Sequence, residues 1–145
     1  MSSDKNNAVD FVLVRTMTGR ELVCLLLDRF PNIRDLLCPD EDCFDLSTVV
    51  YDSFARIVIQ RSDDPGFIQS VVFFIDELAE NKSPLVQEVL ITCLLEGIAA
   101  DEKVARMIES TMTPHSRSLL HEVEAKIYGR AQSADAPGDR EKYKH

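Results

Sequence analysis

Apolar residues recur along most of the chain with the three- to four-residue period of amphipathic helices. Thr18-Gly19-Arg20-Glu21 has the spacing of a capping box and predicts a helix from Gly19 to about Phe30, which Pro31 ends. A short turn should follow over 33–37. A second long helix should begin near Asp45 or Ser47 and run to about Arg61. The second helix has an apolar face made of Leu46, Val50, Phe54, Ile57 and Val58.

Two later helices begin alike, because Asp64-Pro65 and Ser83-Pro84 each place an N-cap residue before a proline. The pattern predicts helices over 65–80 and 84–96, with Gly97 as the stop of the second. The nineteen-residue spacing of the two starts is typical of stacked helical repeats, although two units make a weak repeat. Two more helices should run over about 101–111 and from Thr113-Pro114 to Gly129.

The two ends of the chain lack this periodicity. Residues 1–17 predict a partly ordered N-terminal segment, in which Phe11-Val12-Leu13-Val14 is the one candidate strand. Residues 130–145 are polar and contain Pro137 and Gly138, so we expect a disordered tail. We therefore predict an all-α fold: a single-domain helical bundle of about six to seven helices over residues 18–129.

The composition is that of a cytoplasmic globular protein. The chain has 145 residues, of which 45% are hydrophobic, and its longest apolar run is far shorter than a membrane span. No cleavage site follows the first apolar patch, so a signal peptide is not expected. The four cysteines should be free thiols, because a chain with a proper core needs no disulfide in a reducing compartment.

The distribution of charge along the chain limits the kinds of molecule that the protein is expected to bind. The net charge is −9, and the segment 35–102 holds fifteen acidic residues against three basic ones. Such a field repels nucleic acids and anionic lipids, and it favours encounter with a basic protein surface. A DNA glycosylase on a helical-repeat scaffold is disfavoured for the same reason. The open alternative is that the charge only keeps a cytosolic protein soluble.

Residue types needed for catalysis or metal binding do not come together in the sequence. His115 and His121 are six residues apart and lie on different helical faces, which excludes a helical metal pair and predicts ordinary surface histidines. Cys38 and Cys43 flank an acidic loop that disfavours thiolates and lacks the glycine and final glutamate of a calcium loop. No phosphate loop is present. We expect no enzyme, cofactor, metal or small-molecule substrate.

Two helices carry candidate binding positions. The helix that begins at Pro84 is apolar around nearly its whole circumference and should be central, with Glu88, Thr92 and Glu96 as one polar stripe. That stripe is either a binding groove or the place where the helix meets water or an arginine. On the preceding helix, Phe73 lies among acidic residues that include Glu77. An aromatic ringed by acids is a possible interface anchor, and packing against a neighbouring segment is the alternative.

The order of motifs from residue 18 to 129 resembles that of a family: small all-helical bacterial proteins with HEAT-like helix pairs, encoded beside toxin genes and similar to immunity proteins of polymorphic toxin systems. The motifs are Glu21-Leu22 through Phe30-Pro31, Phe74-Ile75-Asp76-Glu77-Leu78, Val86-Gln87-Glu88-Val89-Leu90 and Leu94-Leu95-Glu96-Gly97-Ile98. The resemblance implies that an acidic face binds the basic surface of a cognate toxin and blocks it. The runner-up function is a non-catalytic helical-repeat adaptor. The residues expected to bind are Asp40, Glu41, Asp42, Asp45, Phe73, Glu77, Glu88 and Glu96.

Overall fold

The computed structural model describes residues 16–129 and folds them into seven helices, with no strand in that range. We label the helices α1 (Gly19–Arg29), α2 (Arg34–Leu37), α3 (Ser47–Gln60), α4 (Pro65–Glu80), α5 (Pro84–Val89, continued by Leu90–Leu95 and Glu96–Ala99), α6 (Glu102–Glu109) and α7 (Pro114–Val123, continued by Glu124–Tyr128). The segments Leu90–Leu95 and Glu124–Tyr128 are π-helical. Short 3₁₀ turns precede α2 (Pro31–Ile33) and α3 (Glu41–Asp45). The predicted all-α class and the number of helices are confirmed.

The helix starts follow the local signals in the sequence. Thr18 accepts a hydrogen bond from the Glu21 amide at 3.1 Å, and the Glu21 carboxylate accepts one from the Thr18 amide at 2.9 Å, so the capping box is confirmed. Asp64 caps α4 through the Phe67 amide at 3.1 Å. Ser83 differs, because its hydroxyl makes no cap bond to α5 and instead accepts a hydrogen bond from the Met17 amide at 3.0 Å.

Helix α5 lies at the centre of the fold, as its apolar circumference predicts. It contacts α3, α4, α6 and α7, and half of its residues are buried. A cluster of rings packs beside it, with Phe30 and Phe54 centroids 4.9 Å apart and Phe30 and Phe74 centroids 5.6 Å apart. Buried aromatic rings remove large apolar areas from water, so this cluster is a main source of stability.

The predicted end of α5 is wrong. The helix runs through Gly97 to Ala99, and Gly97 does not have the positive φ of a C-terminal stop. A Cβ atom built on Gly97 would lie 2.6 Å from the Cβ atom of Ala55 in α3. The glycine therefore permits close approach of α3 and α5, a tertiary role that local sequence does not reveal. Gly129, with φ +66°, does end α7 as predicted.

Several predictions fall on residues 1–15 and 130–145, which lie outside the described residues. They are the partly ordered N-terminal segment, the candidate strand at 11–14 and the disordered tail. Within residues 16–129, no helix is both long enough and apolar enough to cross a membrane.

Candidate protein-binding surface

The acidic loop predicted at 38–45 contains a 3₁₀ turn that local patterns did not indicate. Asp40 is the N-cap of this turn, and its carboxylate accepts a hydrogen bond from the Asp42 amide at 3.0 Å. The turn packs against α1 and α3, with Cys43 buried beneath it. The structure brings the four predicted acids of this loop together, and it leaves all four exposed: Asp40, Glu41, Asp42 and Asp45.

Two contacts hold the turn against the rest of the fold. The Arg20 guanidinium of α1 lies over the Phe44 ring, 5.2 Å from its centroid. Cys38 and Cys43 form a disulfide with their Cα atoms 5.4 Å apart, which corrects the expectation of four free thiols. The turn brings these two side chains, five positions apart, into contact. Cys24 and Cys93 are free, as predicted.

Three large aliphatic side chains flank the turn and face solvent. Leu36 of α2 is 59% exposed, Leu46 is 48% exposed and Val49 of α3 is 53% exposed. Within residues 16–129 only six large hydrophobic side chains are exposed, and half of them are therefore here. Large apolar side chains that face solvent, with charged residues next to them in the chain, are typical of interaction sites. We call this set the acidic turn surface: Leu36, Asp40, Glu41, Asp42, Asp45, Leu46 and Val49.

One basic side chain, Arg20, lies over the Phe44 ring of the turn, but it forms no ion pair with the acidic side chains of the acidic turn surface among residues 16–129. Within the part of the chain that the structure describes, no ion pair involves any of its four carboxylates. Exposed carboxylates outside ion pairs attract an approaching cation, and salt screens this attraction.

Phe73 and Glu77 lie together elsewhere, on α4. They line a cleft of ≈ 200 Å³ with Arg29, Phe30, Ser70 and Phe74, and the Phe73 side chain is 65% exposed. Glu77 accepts two hydrogen bonds from Arg29, at 2.6 and 3.1 Å. These bonds and the charge of Glu77 raise the pKa of the Arg29 guanidinium above its ordinary value. Arg29 of the same chain thus neutralises Glu77, whereas Phe73 remains an exposed aromatic side chain.

The stripe on α5 forms a third group. Glu88 and Thr92 are exposed and Glu96 is partly buried, so the stripe meets water along most of its length. The Thr92 hydroxyl donates to the Glu88 carbonyl at 2.7 Å, and Tyr128 donates to the Glu96 carbonyl at 3.3 Å. Among residues 16–129, no hydrogen bond or ion pair joins the side chains of this stripe to Phe73, Glu77 or the acidic turn surface. The eight predicted residues therefore form three separate groups.

Sequence reasoning missed an ionic cluster between α6 and α7. Arg106 pairs with Glu124, whose side chain is only 2% exposed, and Arg106 Nε lies 3.0 Å from Glu109 Oε1. His121, predicted to be an ordinary surface histidine, is 21% exposed and contacts Glu109. Burial lowers the pKa of Arg106, but the hydrogen bond and charge of Glu124 outweigh it and raise the pKa overall. Glu109 and His121 are twelve positions apart on different helices, so helical spacing could not reveal their contact.

The cluster is placed to join α6 to α7. Arg117 adds hydrogen bonds to the Glu109 carbonyl at 3.3 Å and the Met112 carbonyl at 3.0 Å, near the end of α6. A shallow cleft beside His121 is open to solvent and lined largely by one face of α7. Within the described range 16–129, no group of three or more His, Cys, Asp or Glu residues could hold a metal ion.

A family model described as a domain of unknown function, DUF7674, matches residues 23–129. The chain belongs to the DUF7674 family. The match covers nearly all of the helical region, from the second turn of α1 to the glycine that ends α7. The comparisons with curated proteins and with solved structures found no match. The DUF7674 description states no activity, so the likeness to HEAT-like immunity proteins stays a prediction.

Proposed function

We propose that this DUF7674 protein is a non-catalytic binding protein that neutralises a basic protein toxin by attaching to it through the acidic turn surface. The observation that supports the proposal is the grouping of three exposed aliphatic side chains with four carboxylates that have no basic partner among residues 16–129. Interfaces commonly combine a few desolvated anchors with a charged rim.

The two kinds of residue have different tasks in this proposal. The aliphatic side chains of Leu36, Leu46 and Val49 lose water when the partner covers them, and this apolar burial slows dissociation. The carboxylates attract a basic partner from a distance and raise the association rate, an effect that salt weakens. A cognate toxin with a basic surface fits both requirements, and it is the partner that the family resemblance implies.

Phe73 is a candidate second anchor, because it is the most exposed large hydrophobic residue among residues 16–129. Glu77 beside it is tied to Arg29, so we assign it the role of shaping the cleft and not of attracting the partner. Glu88 and Glu96 contribute to the general negative field in this proposal.

The test is co-expression with the product of the neighbouring gene, followed by growth rescue and purification of the complex. The informative variant is D42K/D45K, because both side chains are exposed and neither is the N-cap of the turn. The matched control is D63K/E80K, which makes the same change in net charge at exposed positions of another region. We expect the first variant to associate with the toxin about tenfold more slowly than the control at low salt.

The outcomes separate the candidate functions. A tight complex that leaves the partner's toxicity unchanged supports the adaptor function instead. The absence of any complex, or equal association rates for D42K/D45K and the control, would contradict binding through the acidic turn surface.

A further inference from the structure

Cys38 and Cys43 are placed to react with each other without a change in the fold. Their Cα atoms are 5.4 Å apart, which lies within the range that protein disulfides span. Both residues lie at the base of the acidic turn and are 7% exposed. Their neighbours Pro39, Asp40 and Glu41 are exposed, so a local opening of the turn is enough to admit a small molecule.

The same geometry also suits the reduced state. The carbonyl oxygen of Asp40 is 3.0 Å from the Cys43 sulfur and 3.4 Å from the Cys38 sulfur. As thiols, both cysteines can therefore donate a weak hydrogen bond to this oxygen. Because each state has partners in nearly the same place, neither oxidation nor reduction requires the helices to move.

The fold does not depend on the cross-link. The disulfide joins residues only five positions apart, and short loops gain the least stability from closure. The core is built from apolar side chains of all seven helices, so it remains when the bond is reduced. The other two cysteines are apart from the pair: Cys24 is exposed on α1, and Cys93 is buried in α5, where burial raises its thiol pKa.

We infer that Cys38 and Cys43 are a reversible dithiol–disulfide pair that responds to small-molecule disulfides. One thiolate attacks the small disulfide, forms a mixed disulfide and releases one small thiolate. The second thiolate then attacks the protein sulfur of that mixed disulfide and releases the other small thiolate. In total, two protein thiols lose two protons and two electrons, and one small disulfide is reduced to two thiols.

The acidic residues around the pair should select the oxidant by charge. Asp40, Glu41, Asp42 and Asp45 are exposed and lie within four positions of a cysteine of the pair along the chain, so their charge repels anions such as glutathione disulfide. A cationic disulfide such as cystamine is attracted instead. We expect cystamine to oxidise the pair about tenfold faster than glutathione disulfide at low ionic strength, with the difference shrinking as salt is added.

The experiment uses the full chain in glutathione redox buffers, with alkylation of remaining thiols, trypsin cleavage and mass spectrometry. Trypsin separates the cysteines, because Cys38 and Cys43 share the peptide 35–56 whereas Cys24 and Cys93 fall in the peptides 21–29 and 83–103. Oxidation should lower the mass of peptide 35–56 by two hydrogen atoms. Millimolar reduced glutathione should restore its two alkylation sites, and C38S and C43S should each abolish the mass change.

The following results would contradict the inference. A pair that stays reduced in oxidised glutathione and in cystamine is not a disulfide former. A pair that millimolar glutathione cannot reduce is a fixed structural bond. Cross-linking of Cys38 or Cys43 to Cys24, or to a second chain, would show that the two cysteines do not form their disulfide with each other. For the charge preference, the D42K/D45K variant must lose most of the difference between cystamine and glutathione disulfide.

A regulatory consequence rests on the proposed function. Oxidation ties the acidic turn to the end of α2, and reduction lets the turn loosen, so toxin binding should be tighter for the oxidised protein. Equal affinities of the two redox forms would remove the regulation but leave the reversible pair intact. If no toxin is found, the peptide measurements still decide whether the pair cycles.

Discussion

The contact between Gly97 and Ala55 offers a sharp test of how the central helix is packed. The two residues face each other where α5 crosses α3, and a Cβ atom on Gly97 would be 2.6 Å from the Ala55 Cβ atom. Ordinary contacts between such atoms begin at about 3.4 Å, so Gly97→Ala must push the two helices apart. Both residues lie within long helices whose neighbours are buried, so the shift disturbs a large part of the core.

The magnitude follows from two opposing terms. Overpacking a tight core costs about 1 to 3 kcal/mol, and we take the upper end because the Ala55 Cβ atom cannot move away without its helix backbone. Alanine has a higher helix propensity than glycine by about 1 kcal/mol, which offsets part of this cost. We therefore expect Gly97→Ala to lower the free energy of unfolding by about 2 kcal/mol. For a domain of this size the loss corresponds to a fall in Tm of about 8 °C.

The assay is urea unfolding followed by circular dichroism, applied to a double-mutant cycle. Ala55→Gly alone should also destabilise by about 2 kcal/mol, since it loses a buried methyl group and helix propensity. The double variant A55G/G97A moves the methyl group from one helix to the other, so its stability should return close to that of the wild type. The control is Gly66→Ala in α4, where the new Cβ atom meets only Asp64 Oδ1 at 3.6 Å.

Additive effects of the two substitutions would refute this reasoning. If A55G/G97A were destabilised by the sum of the single variants, about 4 kcal/mol, the two positions would not share one contact. A Gly97→Ala protein as stable as the Gly66→Ala control would likewise show that α3 and α5 have room for the methyl group.

Three further predictions concern polar contacts between different parts of the chain. Tyr51 donates a hydrogen bond to the Leu22 carbonyl at 2.8 Å, and burial raises the pKa of its phenol. The stability that the neutral phenol contributes is therefore present below about pH 10 and is lost at higher pH. Tyr51→Phe should cost about 1 kcal/mol at neutral pH and flatten the decline in urea midpoints that begins at about pH 10. The Gln87 amide donates hydrogen bonds to the carbonyls of Leu78, Ala79 and Asn81 at the end of α4, the shortest at 2.6 Å. Gln87→Met should therefore lower the free energy of unfolding by about 1 to 2 kcal/mol and speed amide hydrogen exchange at the end of α4. Asp76 accepts hydrogen bonds from Ser116 at 2.6 Å and from Thr113 at the start of α7. Asp76→Ala should therefore lower Tm by about 4 to 8 °C, whereas Asp76→Asn should retain part of the stability.

Part of the candidate site could be predicted from the sequence. Charged residues in a loop with proline are exposed almost wherever that loop lies, so the four acids of the turn were identified without a structure. Phe73 was identified because it interrupts the polar face of a helix. The neutralisation of Glu77 was not predictable, because its partner Arg29 is 48 positions away. The roles of Leu36 and Val49 depend on which helix faces remain uncovered.

The sequence by itself determined the class of fold and most helix boundaries. Capping boxes, proline at the first turn and a left-handed glycine act within about four residues, so they operate wherever the chain is placed. Apolar periodicity likewise determined that α5 would be central.

Only the tertiary structure decided which distant residues meet. The approach of Gly97 to Ala55, the cluster of Arg106 with Glu109 and Glu124, and the disulfide at the acidic turn all depend on the distances between elements after packing. Such contacts arise from the choice of one packing among many that the same amphipathic helices allow, and no local pattern records that choice.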